Sequence, residues 1–172
     1  MKKIIATAAA GLALTAGGAA MMSTSASAAV DPKIVQQGSA LTADAAIKVA
    51  DAVQKAAVKE KQRVSVAIVD RSGAVKIIVR GDGSGPQTEE SAKRKAFTAV
   101  SFGKTTKELA GGVGGQGATL RDIPGTLFLG GGVPVASGNT PIAGIGVAGA
   151  PSGDIDDKLA QEGLKAIEKG LN

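Results

Sequence analysis

The 172-residue chain contains no cysteine, histidine, tryptophan or tyrosine, and its only aromatics are three phenylalanines. Each absence removes a class of chemistry. Without cysteine there is no disulfide, no thiolate nucleophile and no cysteine-ligated metal cluster. Without histidine a Ser-His-Asp triad is impossible, as is an imidazole-ligated zinc or haem iron, and the usual general base at neutral pH is missing. With so few aromatics there are no stacking platforms of the kind single-strand nucleic-acid binders use, and the formal net charge of +5 is spread along the chain. Nucleic acid is not an expected partner.

What is present begins with Lys2 and Lys3 ahead of a run of small and apolar residues that ends in Ala26-Ser27-Ala28. That pattern reads residues 1–28 as a secretory signal peptide, removed near Ala28 or Ala29. The run is rich in Ala, Gly and Thr, and no Lys/Arg stop-transfer cluster follows it, which argues against an anchored helix. Residues 29–40 form a polar lead and residues 41–172 a single domain. A domain of this size buries about two-thirds of its unfolded surface and can stand on an apolar core without crosslinks. The expected location is outside the cell, secreted or cell-wall associated.

Thr42 precedes AAIKVADAVQKAAVKEK, with Ile47, Ala50, Val53 and Ala57 on one face, an amphipathic helix with Thr42 as N-cap. The β-branched runs Val64–Asp70 and Val75–Arg80, joined by Arg71-Ser72-Gly73-Ala74, read as a β-hairpin. After the loop Gly81–Pro86, Thr88 is the expected cap of a basic helix, EESAKRKAFTAVSF, that turns Ala92, Ala96, Phe97 and Val100 inward. Glu89 and Glu90 suit its positive end. The glycine-rich LAGGVGGQG, Leu109–Gly117, reads as a mobile loop. TLFLGGGVPV (Thr126–Val135) and PIAGIGVAGA (Pro141–Ala150) form a second hairpin around Ser137–Thr140. DIDDKLAQEGLKAIEKGL closes the chain as a helix with acids at its start and lysines near its end. The order implies an α+β domain whose antiparallel sheet is covered by helices.

Two phosphate-binding look-alikes fail on context. GIGVAG (Gly144–Gly149) matches the glycines of a dinucleotide fingerprint, but they fall inside a strand-like run, the helix waits until about Asp154, and no strand follows it. Gly103-Lys104-Thr105 has Thr98 where a phosphate loop needs its first glycine, and it follows a helix. Glycines in strands mean instead that something approaches the backbone closely.

The segments VSVAIVDRSGAVKIIVRGDGSGPQTEESAKRKAFTAVSF, IPGTLFLGGGVPV and IAGIGVAGAPSGDIDDKLAQEGL resemble the GlcG/HbpS family over nearly the whole domain, from Leu41 to the end. Gly-Gly-Val-Pro-Val and Gly-Ile-Gly-Val-Ala-Gly are the most specific parts, and the chain is most similar to the secreted actinobacterial HbpS-type members. The resemblance implies a profilin-like three-layer α/β/α domain with a central antiparallel sheet, a homo-oligomer that is an octamer, binding of haem (heme b) and of iron, and association with the extracellular domain of a membrane sensor histidine kinase that reports redox stress.

Met1, Met21 and Met22 lie in the leader, so no strong side-chain ligand for haem iron remains beyond it. The resemblance implicates a threonine hydroxyl, matched by Thr126, a residue that equally well opens a strand. It also implies a lysine near the haem, matched by Lys95, with Arg94 and Lys93 as further propionate partners; a solvated helix face is the other reading of all three. The family's iron site uses two acids one helical turn apart. Glu90 matches the first, Lys93 replaces the second, and Glu89 is a poorly angled substitute. Asp154, Asp156 and Asp157 form another carboxylate group, which helix capping also explains. A different functional class stays open, a secreted enzyme acting on a small hydroxy acid or degrading haem, with Asp70, Arg71 and Asp82 as its candidate residues.

Overall fold

A computed structural model describes residues 38–115 and 118–171. The signal-peptide assignment (1–28), most of the polar lead, and Gln116 and Gly117 lie outside the described residues.

Helix α1 spans Ala43–Lys59 and starts where expected: the Thr42 hydroxyl accepts from the Ala45 N–H. Its buried face is Ala46, Val49, Ala50, Val53 and Ala57, whereas Ile47 is 54% exposed and belongs to the opposite side. Strands β1 (Ser65–Asp70) and β2 (Val75–Arg80) form the first hairpin, and β3 (Gly132–Ser137) and β4 (Thr140–Ala148) the second. All pairings are antiparallel, in the order β2-β1-β4-β3. Thr126 is not part of a strand, because Gly125 turns at φ +82° and the β3 ladder starts only at Gly132.

Helix α2 (Thr88–Phe102) begins one residue earlier than Thr88 as a cap would have it. The Thr88 hydroxyl donates instead to the Gly85 carbonyl and meets Ser65 Oγ at 2.7 Å, seating the helix on β1 through a buried polar contact. The glycine-rich stretch begins within a helix at Leu109 and Ala110: α3 (Thr106–Ala110) opens with a reciprocal cap between Thr105 and Glu108. Helix α4 (Gly153–Lys165) is capped by Ser152.

Strand alternation divides the sheet into two faces. Val66, Ile68, Val133, Val135, Ile145 and Val147 form one core with α1 and α4. Ala67, Val69 and Ala148 face α2 through Ala92, Ala96 and Val100. The result is helices on both sides of one antiparallel sheet, the α+β three-layer arrangement expected from the sequence. It also explains GIGVAG. Ile145 and Val147 point into the larger core, while Gly144 and Gly146 point to α2, whose backbone at Ala92 and Ala96 occupies the space a Cβ would need.

Candidate functional site

The basic segment Lys93-Arg94-Lys95 lies in the middle of α2, and successive residues point about 100° apart around a helix. The three cations therefore go to three environments. Lys93 stays at the surface, its Nζ 3.3 Å from Glu90 Oε2. Arg94 is half-buried; its Nη2 donates to the Thr126 carbonyl at 2.6 Å, and its Nε is buried without a partner among the described residues. Lys95 is 3% exposed, its Nζ 2.8 Å from Asp156 Oδ2 and 2.9 Å from the Val147 carbonyl.

Lys95 is thus neither a solvated helix cation nor, in this conformation, open to a propionate. Its ammonium passes the end of the β3–β4 ladder and ties α2 to α4 on the opposite face. Gly131, at φ +114°, makes this passage possible: a Cβ there would meet Asp156 Cβ, the Val147 carbonyl and, at 3.1 Å, the Lys95 ammonium. Asp156 is correspondingly more than a helix-capping acid. Its Oδ1 accepts from the Ala150 N–H at 3.0 Å. Burial raises its carboxyl above the usual range, with Lys95 and the backbone N–H groups pulling the other way.

The other acids of that group are separate. Asp154 pairs at the surface with Lys107, 2.9 Å away, and this pairing raises the lysine's pKa. Asp157 is raised by burial, against the attraction of Lys107 and the Gly131 N–H, and its Oδ1 has no partner among the described residues. Glu89 turns toward β2, with Arg80 Nη1 3.5 Å from its Oε1. Among the described residues no group of three or more His, Cys, Asp or Glu is placed to hold a metal.

Thr126 is 3% exposed and its hydroxyl donates to the Ile123 carbonyl at 2.8 Å, closing a turn after the 3-10 segment Leu120–Asp122. The loop that carries it is fastened at three further points. The Leu127 N–H donates to Thr98 Oγ1 at 2.8 Å, Thr106 Oγ1 donates to the Leu129 carbonyl at 2.6 Å, and the Gly132 N–H donates to Thr106 Oγ1 at 2.8 Å. Phe128 packs on Phe102 with ring centroids 5.9 Å apart. Sequence reasoning missed Thr98 and Thr106; for Thr98 the available signal was a threonine inside an expected helix, where its side chain competes for backbone groups and has to be accounted for, whereas Thr106 lies outside every helix expected from the sequence.

The clamped loop presents Leu120, Ile123 and Leu129 to solvent at 40%, 43% and 59% exposure. Beside Leu120 runs a groove of about 400 Å³ lined by Lys104, Glu108, Leu109 and Gly112. The structure thus brings Arg94 onto the Thr126 loop, which exposes three apolar side chains, and keeps Lys95 apart. Exposed apolar side chains suit an apolar ligand, and Arg94, bonded to the same loop, supplies positive charge for anionic substituents. The enzyme candidates do not converge. Asp70 Oδ1 accepts from Ser72 Oγ and from the N–H groups of Ser72 and Ala74. Led by the Ser72 hydroxyl, these bonds hold its carboxyl below the usual range, which suits a turn and not a proton acceptor. Arg71 donates to the Pro141 carbonyl at 2.8 Å. Asp82 is exposed in the loop after β2.

Comparisons with known proteins give a consistent answer. The family model described as "Haem degrading protein HbpS-like" matches residues 41–165. A crystal structure of HbpS is 52% identical, covering 81% of this chain and 98% of its own, with a TM-score of 0.77. HbpS from Streptomyces reticuli, solved with two Glu-to-Asp replacements three positions apart, is 48% identical over 94% of this chain and 99% of its own, with a TM-score of 0.75. A PduOC:heme complex is 28% identical over 75% of this chain and 96% of its own, with a TM-score of 0.68. No curated protein matches the sequence significantly. With the three-layer fold, GGVPV and GIGVAG all in place, the chain belongs to the HbpS-like family of haem-degrading proteins.

Proposed function

We propose that this chain is a secreted haem-binding accessory protein that reports haem or redox stress to the extracellular domain of a membrane sensor histidine kinase. The observation that carries the reading is the Arg94–Thr126 junction: an arginine whose buried Nε has no partner among the described residues is hydrogen-bonded to a loop that exposes Leu120, Ile123 and Leu129. Family membership and the haem complex of a structural relative point to the same ligand class. Haem, when bound, would supply the redox-active iron. The protein's part is to offer the exposed apolar side chains of this loop, to supply Arg94 at the loop and Lys93 at the surface as cations for the propionates, and to provide oxygen as the iron donor. The Thr126 hydroxyl can keep donating to the Ile123 carbonyl while an oxygen lone pair meets the iron, but at 3% exposure it is reached only if the loop over it shifts.

Titration of the purified chain with hemin, followed by visible absorbance, tests the reading. The expected spectrum is that of weakly ligated iron, since the chain has no imidazole or thiolate. Thr126→Ala should weaken binding more than Thr119→Ala, whose hydroxyl only accepts from the Arg121 N–H at a neighbouring turn. A sharp low-spin bis-nitrogen spectrum, or equal binding by the two variants, would refute this assignment.

The kinase partner and an octameric assembly belong to the same proposal. Among the described residues both edge strands, β2 and β3, lack a neighbouring strand on one side, and Val75 on β2 is 41% exposed. Edges of this kind are commonly covered by another subunit, and closed symmetry makes such a particle discrete. Light scattering after size exclusion should give an octameric mass; a monomer at micromolar concentration would remove the assembly.

A further inference from the structure

We infer that the surface of α2 carries a built-in cation, the Lys93 ammonium, in place of bound iron. Residues 90 and 93 lie one turn apart on one face of the helix, the spacing at which two carboxylates converge on a cation. Here one of the two positions is itself the cation, with Lys93 Nζ 3.3 Å from Glu90 Oε2. The remaining carboxylate of that turn, Glu89, is directed away to Arg80 on β2. Each glutamate therefore already faces a positive side chain. The ammonium repels iron, and the single carboxylate beside it is already paired and provides too few oxygen donors for the metal.

This inference rests on the haem-binding reading only for its consequence, which is that redox sensitivity in this protein comes through haem and not through iron held on α2. Its test needs no haem. The purified chain and its variants are equilibrated anaerobically with Fe(II), freed of excess metal and analysed for iron, and the same samples are titrated with Mn(II) by electron paramagnetic resonance. The readout is metal that the further substitution Glu90→Gln removes. The wild-type chain should hold none, and Lys93→Glu should gain near-stoichiometric metal. Position 93 is half-exposed, so circular dichroism should be unchanged. Glu90-dependent metal in the wild type overturns the inference, and so does a Lys93→Glu chain that gains none. Either result leaves the hemin titration to stand or fall by itself.

Discussion

Replacing Lys95 by methionine should destabilise the domain by about 3–5 kcal/mol, since removing one partner of a buried ion pair strands the other charge. Asp156, at 4% exposure, would keep only its backbone donors. The double variant Lys95→Met/Asp156→Leu should recover most of that loss, because no charge then stays buried; the Val147 carbonyl and Ala150 N–H lose their partners in it, so the recovery is incomplete. Lys55→Ala is the control. Its pair with Asp51 is just as short, 2.7 Å, but both side chains are more than half exposed, and pairs of that kind contribute about 0–1 kcal/mol. Urea unfolding of the four proteins decides the matter. A Lys95→Met loss no larger than that of Lys55→Ala would show that the pair does not hold α2 to α4.

The pH dependence follows from the direction of the Asp156 shift. Burial raises its carboxyl in the folded state, so between the unfolded and folded pKa values the native protein binds the extra proton. Its stabilising contribution is therefore full below the unfolded pKa and is lost as pH rises through the folded one. In Lys95→Met the attraction that opposed this rise is gone, and the folded pKa climbs further. The deficit of the single variant should accordingly be largest at neutral pH and narrow on acidification as Asp156 is neutralised. A deficit that widens in acid would contradict this account.

The repeating features of the fold were legible because local periodicity encodes them. Both hairpins, the three long helices and the two-faced sheet follow from alternation and 3.6-residue spacing. The contrasting fates of Lys93, Arg94 and Lys95 were not. The sequence presents them as one basic patch, and which way each points depends on how α2 sits on the sheet. The partner that draws Lys95 inward lies 61 residues away, on the helix of the other layer. Thr126 was misplaced for a related reason. Its β-branched neighbourhood suggests a strand, but the Gly125 turn and the threonine clamps from Thr98 and Thr106 hold the segment as a loop. Glu90 and Lys93, one turn apart on a single helix, needed no tertiary information, and there the sequence already pointed to a weakened metal site.

Glycines gave the clearest signal of close approach, and the second large effect lies there. Gly146→Ala should cost about 3 kcal/mol or more, at or above the upper end of ordinary overpacking, because the added methyl meets backbone and not a movable side chain. A Cβ on Gly146 would overlap the Ala92 carbonyl oxygen and lie 2.7 Å from the Ala96 nitrogen. Relief requires α2 to lift from β4 as a unit. That motion would pull Lys95 away from Asp156 and Arg94 from the Thr126 loop, so the variant should also bind hemin less tightly. Gly170→Ala, where nothing lies within 4 Å of the new methyl, is the matched control and should leave both stability and binding near wild type. If Gly146→Ala lost stability while hemin binding stayed unchanged, the seating of α2 would not be what positions the Arg94–Thr126 junction, and the ligand would have to be held elsewhere on the domain.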